Sequence, residues 1–176
     1  MSGICAGFKD EVPLGTIIVS STCWEHQAGK WASNGFKLEH YDISLDQGIQ
    51  TQITQHAQKT DHAFELKKKY TDDREIASRE IAVKPTATGS AVIANVEKIA
   101  EIQEQHRKLG ALDMEMFGLY RAAELSPSKP IFFGAKCVVD YADDAKDDTL
   151  HPYGCAISAA FTVELIELIL REFDCN

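Results

Sequence analysis

Long hydrophobic runs are missing from this 176-residue chain. No uninterrupted apolar stretch approaches the ~18 residues that a membrane-spanning helix needs. Basic residues are also few: 18 Lys and Arg face 27 Asp and Glu, a formal net charge of −9. Such a chain repels phosphate backbones, which argues against nucleic-acid binding through a broad basic face. Lys67, Lys68 and Lys69 form the only run of three bases, and a solvated helix end accounts for them. The 5 cysteines, Cys5, Cys23, Cys137, Cys155 and Cys175, are odd in number and contain no CxxC pair. That argues against a disulfide framework and a zinc site, and favours a reducing, cytoplasmic setting. Neither a signal peptide nor a transit peptide is legible at Met1–Cys5. His26, His40, His56, His62, His106 and His151 show no HxH or HExxH spacing, so each is expected on the surface or in a loop.

What remains is ample for a core. Hydrophobic residues make up 44% of the chain, too many for a disordered one, and the length suits one domain. Residues 1–8 (MSGICAGF) are small and Gly-rich, and read as a tight loop. Thr16–Ser20 reads as a β-branched strand, and Trp24–Asp42 as a long aromatic loop or hairpin. Helix formers extend from Asp46 to Tyr70. Glu80–Lys84 is a short strand ending at Pro85, and Thr86–Ser90 a turn of small residues. Ala91–Lys108 and Glu115–Leu125 read as helices on either side of a short apolar segment, Ala111–Met114. Ile131–Val139 is nearly continuously apolar, the mark of a strand buried on both faces. Ile157, Phe161, Leu165, Leu168 and Ile169 recur at helical spacing within Tyr153–Phe173. The alternation of strands and helices predicts an α/β fold.

Three segments hold residues with chemistry. Asp140 directly follows the buried apolar strand, where ligands of open α/β sheets bind, and half-burial there suits a proton donor. A turn or helix-cap aspartate fits the same position, since Asp143, Asp144, Asp147 and Asp148 follow. A divalent-cation loop is a third reading, but the run has no Gly or terminal Glu of a calcium loop. Asp113-Met114-Glu115 lies at a strand-to-helix junction, where a carboxylate can accept both hydrogen bonds of a vicinal diol. Taken alone, the segment reads more readily as a helix N-terminus carrying acids that favour the macrodipole. Gly3-Ile4-Cys5-Ala6-Gly7 is a Gly-rich segment that admits a ligand. Its Cys5 reads as a nucleophile only if a base is near, and otherwise as a small buried thiol.

Four motifs in order resemble the nucleoside phosphorylase superfamily, most closely its methylthioadenosine/S-adenosylhomocysteine nucleosidases. They are GICAG (3–7) with PLGTIIVS (13–20), TGSAVIAN (88–95), ALDMEMFGLYRAA (111–123) and AKCVVDYADDAKDD (135–148). The resemblance spans nearly the whole chain. It implies a three-layer α-β-α fold with a mixed, twisted central sheet, here without the family's N-terminal strands, so that residues 1–176 form a single, N-terminally incomplete domain. It implies hydrolysis of the N-glycosidic bond of an adenine nucleoside or related nucleotide, without a metal or organic cofactor. A phosphorylase and an inactive nucleoside-binding module are the alternatives. Asp140 matches the general acid at purine N7. Glu115 matches the carboxylate on the ribose hydroxyls, and Met114 packs under the sugar. Val92 and Ile93 match the purine-pocket segment, and Gly3, Ile4 and Cys5 the Gly-rich loop beside the ribose. Two positions depart: Val139 stands where many relatives have Ser, and Thr16 where they have Asp. The family's water-activating glutamate and phosphate-binding residues precede the position of Met1, so the isolated chain is expected to turn over little. The expected partner is a purine nucleoside, not a nucleic acid or membrane, in a homodimer or larger homo-oligomer.

Overall fold

A computed structural model describes residues 1–39, 41–58, 80–143 and 148–174. Eight strands and four helices lie within them, five strands coming first and helices and strands alternating after that. In chain order they are β1 (Ser2–Gly7), β2 (Ile17–Glu25), β3 (Gly29–Ala32), β4 (Gly35–Leu38), β5 (Ile43–Ser44), α1 (Gln47–Ala57), β6 (Ile81–Thr88), α2 (Val96–Glu104), β7 (Ala111–Asp113), α3 (Met116–Leu125), β8 (Ala135–Asp140) and α4 (His151–Asp174).

The main sheet is mixed, as expected, with strand order β5-β2-β6-β7-β1-β8. It also closes on itself. The start of β2 pairs antiparallel with β8 (Ile17 with Cys137, Val19 with Ala135), so β2, β6, β7, β1 and β8 form a ring. Helices cover it outside. Ile49 and Ile53 of α1 and Ile157, Phe161, Leu165 and Ile169 of α4 share one core with Ile17, Val19, Ala135, Cys137 and Val139. On the other side Ile102 of α2 packs with Phe8, Trp24 and Leu112, while Met116 and Tyr120 of α3 pack with Cys23 and Ile43. Cys5, Val12, Ile18, Ala111 and Val138 make a further cluster. Each apolar stripe thus finds a partner surface, which is what makes the layers cohere.

Several boundaries differ from the sequence expectation. Residues 2–7 form a strand, not a loop: β1 pairs parallel with β8 and antiparallel with β7. Small residues are needed because its neighbours press close. A Cβ on Gly7 would lie 2.6 Å from Val138 Cγ1 and 2.8 Å from Val12 Cγ2. Strand β6 runs through Pro85 to Thr88. Its register with β2 shifts between Ser20 and Cys23, opposite Lys84 and Thr86. Pro85 therefore sits at the irregularity, where a missing N–H interrupts no regular ladder bond. Strand β2 extends to Glu25, and β3 and β4 form the hairpin within Trp24–Asp42. Lys67–Lys69, and the predicted helix beyond Gln58, lie outside the described residues.

Helix α4 corrects the reading of hydrophobic runs. Over His151–Arg171 it is long and apolar enough to cross a membrane, by length and composition, with a mean hydropathy of 1.6. Counting uninterrupted apolar residues misses this, because polar residues punctuate the helix. Its inner stripe, Ile157, Phe161, Leu165 and Ile169, is buried against the sheet.

Candidate active site

A cavity of about 480 Å³ runs along β1. It brings together all eight residues singled out from the motifs: Gly3, Ile4, Cys5, Val92, Ile93, Met114, Glu115 and Asp140. Its floor is buried and its rim open. Cys5, Asp113, Lys136 and Asp140 are buried, whereas Val92 and Met114 are exposed. The cavity is not confined to one carboxyl edge of the sheet. Strand β8 runs parallel to β1, and β7 antiparallel to it. The ends of β7 and β8 therefore approach the site from opposite directions.

Lys136, which sequence reasoning passed over, organises the floor. It lies on β8, and its side chain passes over Gly3 of β1, where a Cβ would stand 3.6 Å from its Cε. On the far side of β1 its Nζ lies 2.6 Å from Asp113 Oδ2 and 2.5 Å from Glu115 Oε2. Burial acts to lower the Lys136 pKa, but the Asp113 and Glu115 carboxylates outweigh it and hold the ammonium above its ordinary value. The signal was in the sequence: Lys136 is the one charge inside the apolar run IFFGAKCVV, and a buried lysine requires an acidic partner.

Asp113 has four donors around its carboxylate. Its Oδ1 accepts from Thr88 Oγ1 at 2.7 Å, and its Oδ2 from Met116 N at 2.9 Å and Glu115 N at 3.3 Å, besides Lys136. It thereby caps the N-terminus of α3, where a carboxylate is favoured. Asp113 thus serves the helix, and Glu115 lines the cavity. Glu115 makes no capping hydrogen bond of its own. Its side chain is 59% exposed, within reach of a ligand.

Asp140 ends β8. Its Oδ1 accepts from Ala142 N at 2.8 Å, so the loop backbone orients the carboxylate beside Val139. Ala142 holds φ 53°, a left-handed conformation unusual for a residue with a Cβ. Helix α4 completes this wall. A Cβ on Gly154 would lie 2.5 Å from Val139 Cγ1 and 2.9 Å from Ile4 Cγ2, so glycine allows the first turn to seat against β8 and β1. His151 and Cys155, one turn apart, then both line the cavity. His26 lies in the turn after β2, as a loop histidine, but is buried at 2% exposure, and His151 opens α4 with 30% of its side chain exposed. His40 and His62 lie outside the described residues.

Cys5 is buried among Val12, Ile18, Ala111 and Val138. Burial, then the neighbouring Cys137, pushes its pKa well up, so it remains a thiol rather than a nucleophile. Among the described residues no group of three or more His, Cys, Asp or Glu is placed to hold a metal ion. Asp144 and Asp147 lie outside them.

On the other side of the cavity the segment with Val92 and Ile93 is held from the turn that follows β2. Ser90 N and Oγ both donate to Gln27 Oε1 at 3.1 Å, and His26 N donates to Thr88 O at 2.9 Å.

Comparison with known proteins agrees with this architecture. The uncharacterized protein y4jS of Sinorhizobium fredii is 27% identical over 97% of this chain. The chain spans 43% of that relative's length. Among solved structures, a Borrelia burgdorferi protein assigned as a 5′-methylthioadenosine/S-adenosylhomocysteine nucleosidase, with adenine bound, superposes with a TM-score of 0.72 at 18% identity, over 95% of this chain and 68% of that one. The S-adenosylhomocysteine nucleosidase of Streptococcus pyogenes, in complex with 5-methylthiotubericidin, superposes with a TM-score of 0.70 at 16% identity, over 94% and 65%. At these identities the likeness establishes the fold. The family model described as the phosphorylase superfamily matches residues 1–167. The chain belongs to the phosphorylase superfamily.

Proposed function

We propose that this protein is a purine nucleosidase that hydrolyses the N-glycosidic bond of an adenine ribonucleoside. One observation carries the reading: Asp140 and Glu115, from β8 and the start of α3, line the same cavity as Val92, Ile93 and Met114. Apolar side chains suit the faces of a purine and the underside of a sugar. The adenine and 5-methylthiotubericidin bound by the two nucleosidases above are ligands of this class.

In this reading Asp140 hydrogen-bonds or protonates N7 as the bond from the anomeric carbon to the base breaks. The bonding pair leaves with the base, which the proton makes a better leaving group. Glu115 accepts the hydrogen bonds of the ribose hydroxyls. Its charge, with that of Asp113, favours the oxocarbenium-like sugar that forms. Water adds to the anomeric carbon to give the free sugar, and the proton it releases replaces the one that Asp140 gave to the base.

Lys136 is not free to hold a phosphate nucleophile. It is the only lysine or arginine among the described residues of the cavity, and two carboxylates already neutralise it. A phosphate dianion brought to this floor would meet acids first.

The test is adenine release by the native gene product from 5′-methylthioadenosine and from adenosine, with and without phosphate. Release of adenine and the free sugar in phosphate-free buffer is expected. Release only with phosphate, giving a sugar 1-phosphate, would replace this reading with a phosphorylase. Tight binding without release in either buffer would replace it with a binding module.

A further inference from the structure

We infer that Asp113 is a positioning residue for ribose recognition: it draws part of the Lys136 ammonium away from Glu115 and so leaves that carboxylate able to accept a diol. This rests on the functional reading above. Asp113 is buried and sits two residues before Glu115. It holds the Lys136 Nζ at 2.6 Å while Glu115 holds it at 2.5 Å. The two carboxylates therefore compete for one cation. With both charged, the three groups carry a net −1, and Glu115 keeps negative charge to offer a ligand. Without the Asp113 charge, Lys136 and Glu115 form a neutral pair, and a ribose has to displace the ammonium.

Asp113 also caps α3, so loss of the residue has a structural effect that has to be separated from this one. Asp113→Asn and Asp113→Ser both keep a side-chain acceptor for the helix N-terminus but remove the charge. Thr88→Val keeps the charge and removes the 2.7 Å hydrogen bond to Asp113 Oδ1. The three variants divide support of the fold from control of Lys136.

The experiment is calorimetric titration of each variant with free adenine and with 5′-methylthioadenosine, alongside thermal melts. Asp113→Asn and Asp113→Ser are expected to weaken nucleoside binding about 10- to 100-fold, the range for a hydrogen bond to a charged group, while adenine binding changes little. Thr88→Val is expected to lower the melting temperature and leave the ratio of nucleoside to adenine affinity unchanged. If the charge-removing variants melt earlier but keep the wild-type ratio, Asp113 is a helix cap only and the inference is overturned. If Thr88→Val changes the ratio as much as they do, the effect comes from the fold and the inference is again overturned. A wild-type protein that binds neither ligand overturns the functional reading itself, and this inference with it.

Discussion

Lys136 and Asp113 meet across β1, Nζ to Oδ2 at 2.6 Å, with 5% and 0% of their side chains exposed. Breaking such a pair by removing one partner leaves an uncompensated buried charge, which costs about 3–5 kcal/mol. Lys136→Met is therefore expected to destabilise the fold by about that amount, read from denaturant midpoints. A cost near zero would show that Asp113 does not need its counterion.

The same pair gives an alkaline signature. The folded-state pKa of Lys136 is raised, with burial opposing and the two carboxylates prevailing. The unfolded chain thus loses this proton at lower pH than the folded one. The stabilisation is complete below the ordinary lysine value of about 10.5 and is lost as pH rises through the folded value. Wild-type stability should fall across that window, and Lys136→Met should flatten this limb of the curve. Parallel curves would remove Lys136 as the source.

His26 gives the acid counterpart. Burial, then the Lys98 charge, lowers its pKa, and a Cβ on Gly89 would lie 2.0 Å from its Nε2. The unfolded state therefore takes up a proton, at about 6.5, before the folded state does. Stability present above that pH is lost as pH falls toward the lowered folded value. Urea midpoints at about pH 5 and about pH 7.5 should differ less in His26→Gln than in the wild type. An unchanged difference would assign the acid limb to other groups.

Gly154 tests how helix and site are joined. A methyl group there meets Val139 and Ile4, both β-branched and stiff. Overpacking costs about 1–3 kcal/mol, against a helix-propensity gain below about 1. Gly154→Ala is expected to lower stability and to weaken adenine binding, because His151 and Cys155 move with the helix. Unchanged stability and binding would mean that α4 shifts without consequence for the cavity.

The residues read most clearly from sequence were those whose motifs carry their own chemistry: Asp140 after an apolar strand, Glu115 at a strand-to-helix junction, and the small-residue segment before Val92. What escaped depended on neighbours distant in sequence. Strand β1 looks like a loop because Gly7 is small for a tertiary reason, the closeness of Val138 and Val12. Pro85 looks like a strand end until the register shift in β2 is seen opposite it. His151 reads as an ordinary surface histidine until Gly154 seats α4 on the sheet. Lys136 had a local signal, its isolation in an apolar run, but its partners lie more than 20 positions away in β7 and at the start of α3.

Glu115→Gln separates the sugar from the base. It keeps the side chain's size and removes the charge. Nucleoside affinity is expected to fall about 10- to 100-fold, and free adenine affinity to change little. Equal losses for the two ligands would remove the diol role.

The most direct measurement is the rate of adenine release from 5′-methylthioadenosine by the native gene product and by its Asp140→Asn form. General-acid help is worth about 10²–10⁴-fold. The substituted protein should lose that much in rate while still binding the nucleoside. Release at the wild-type rate would contradict the assignment of Asp140 and, with it, the proposed chemistry of the site.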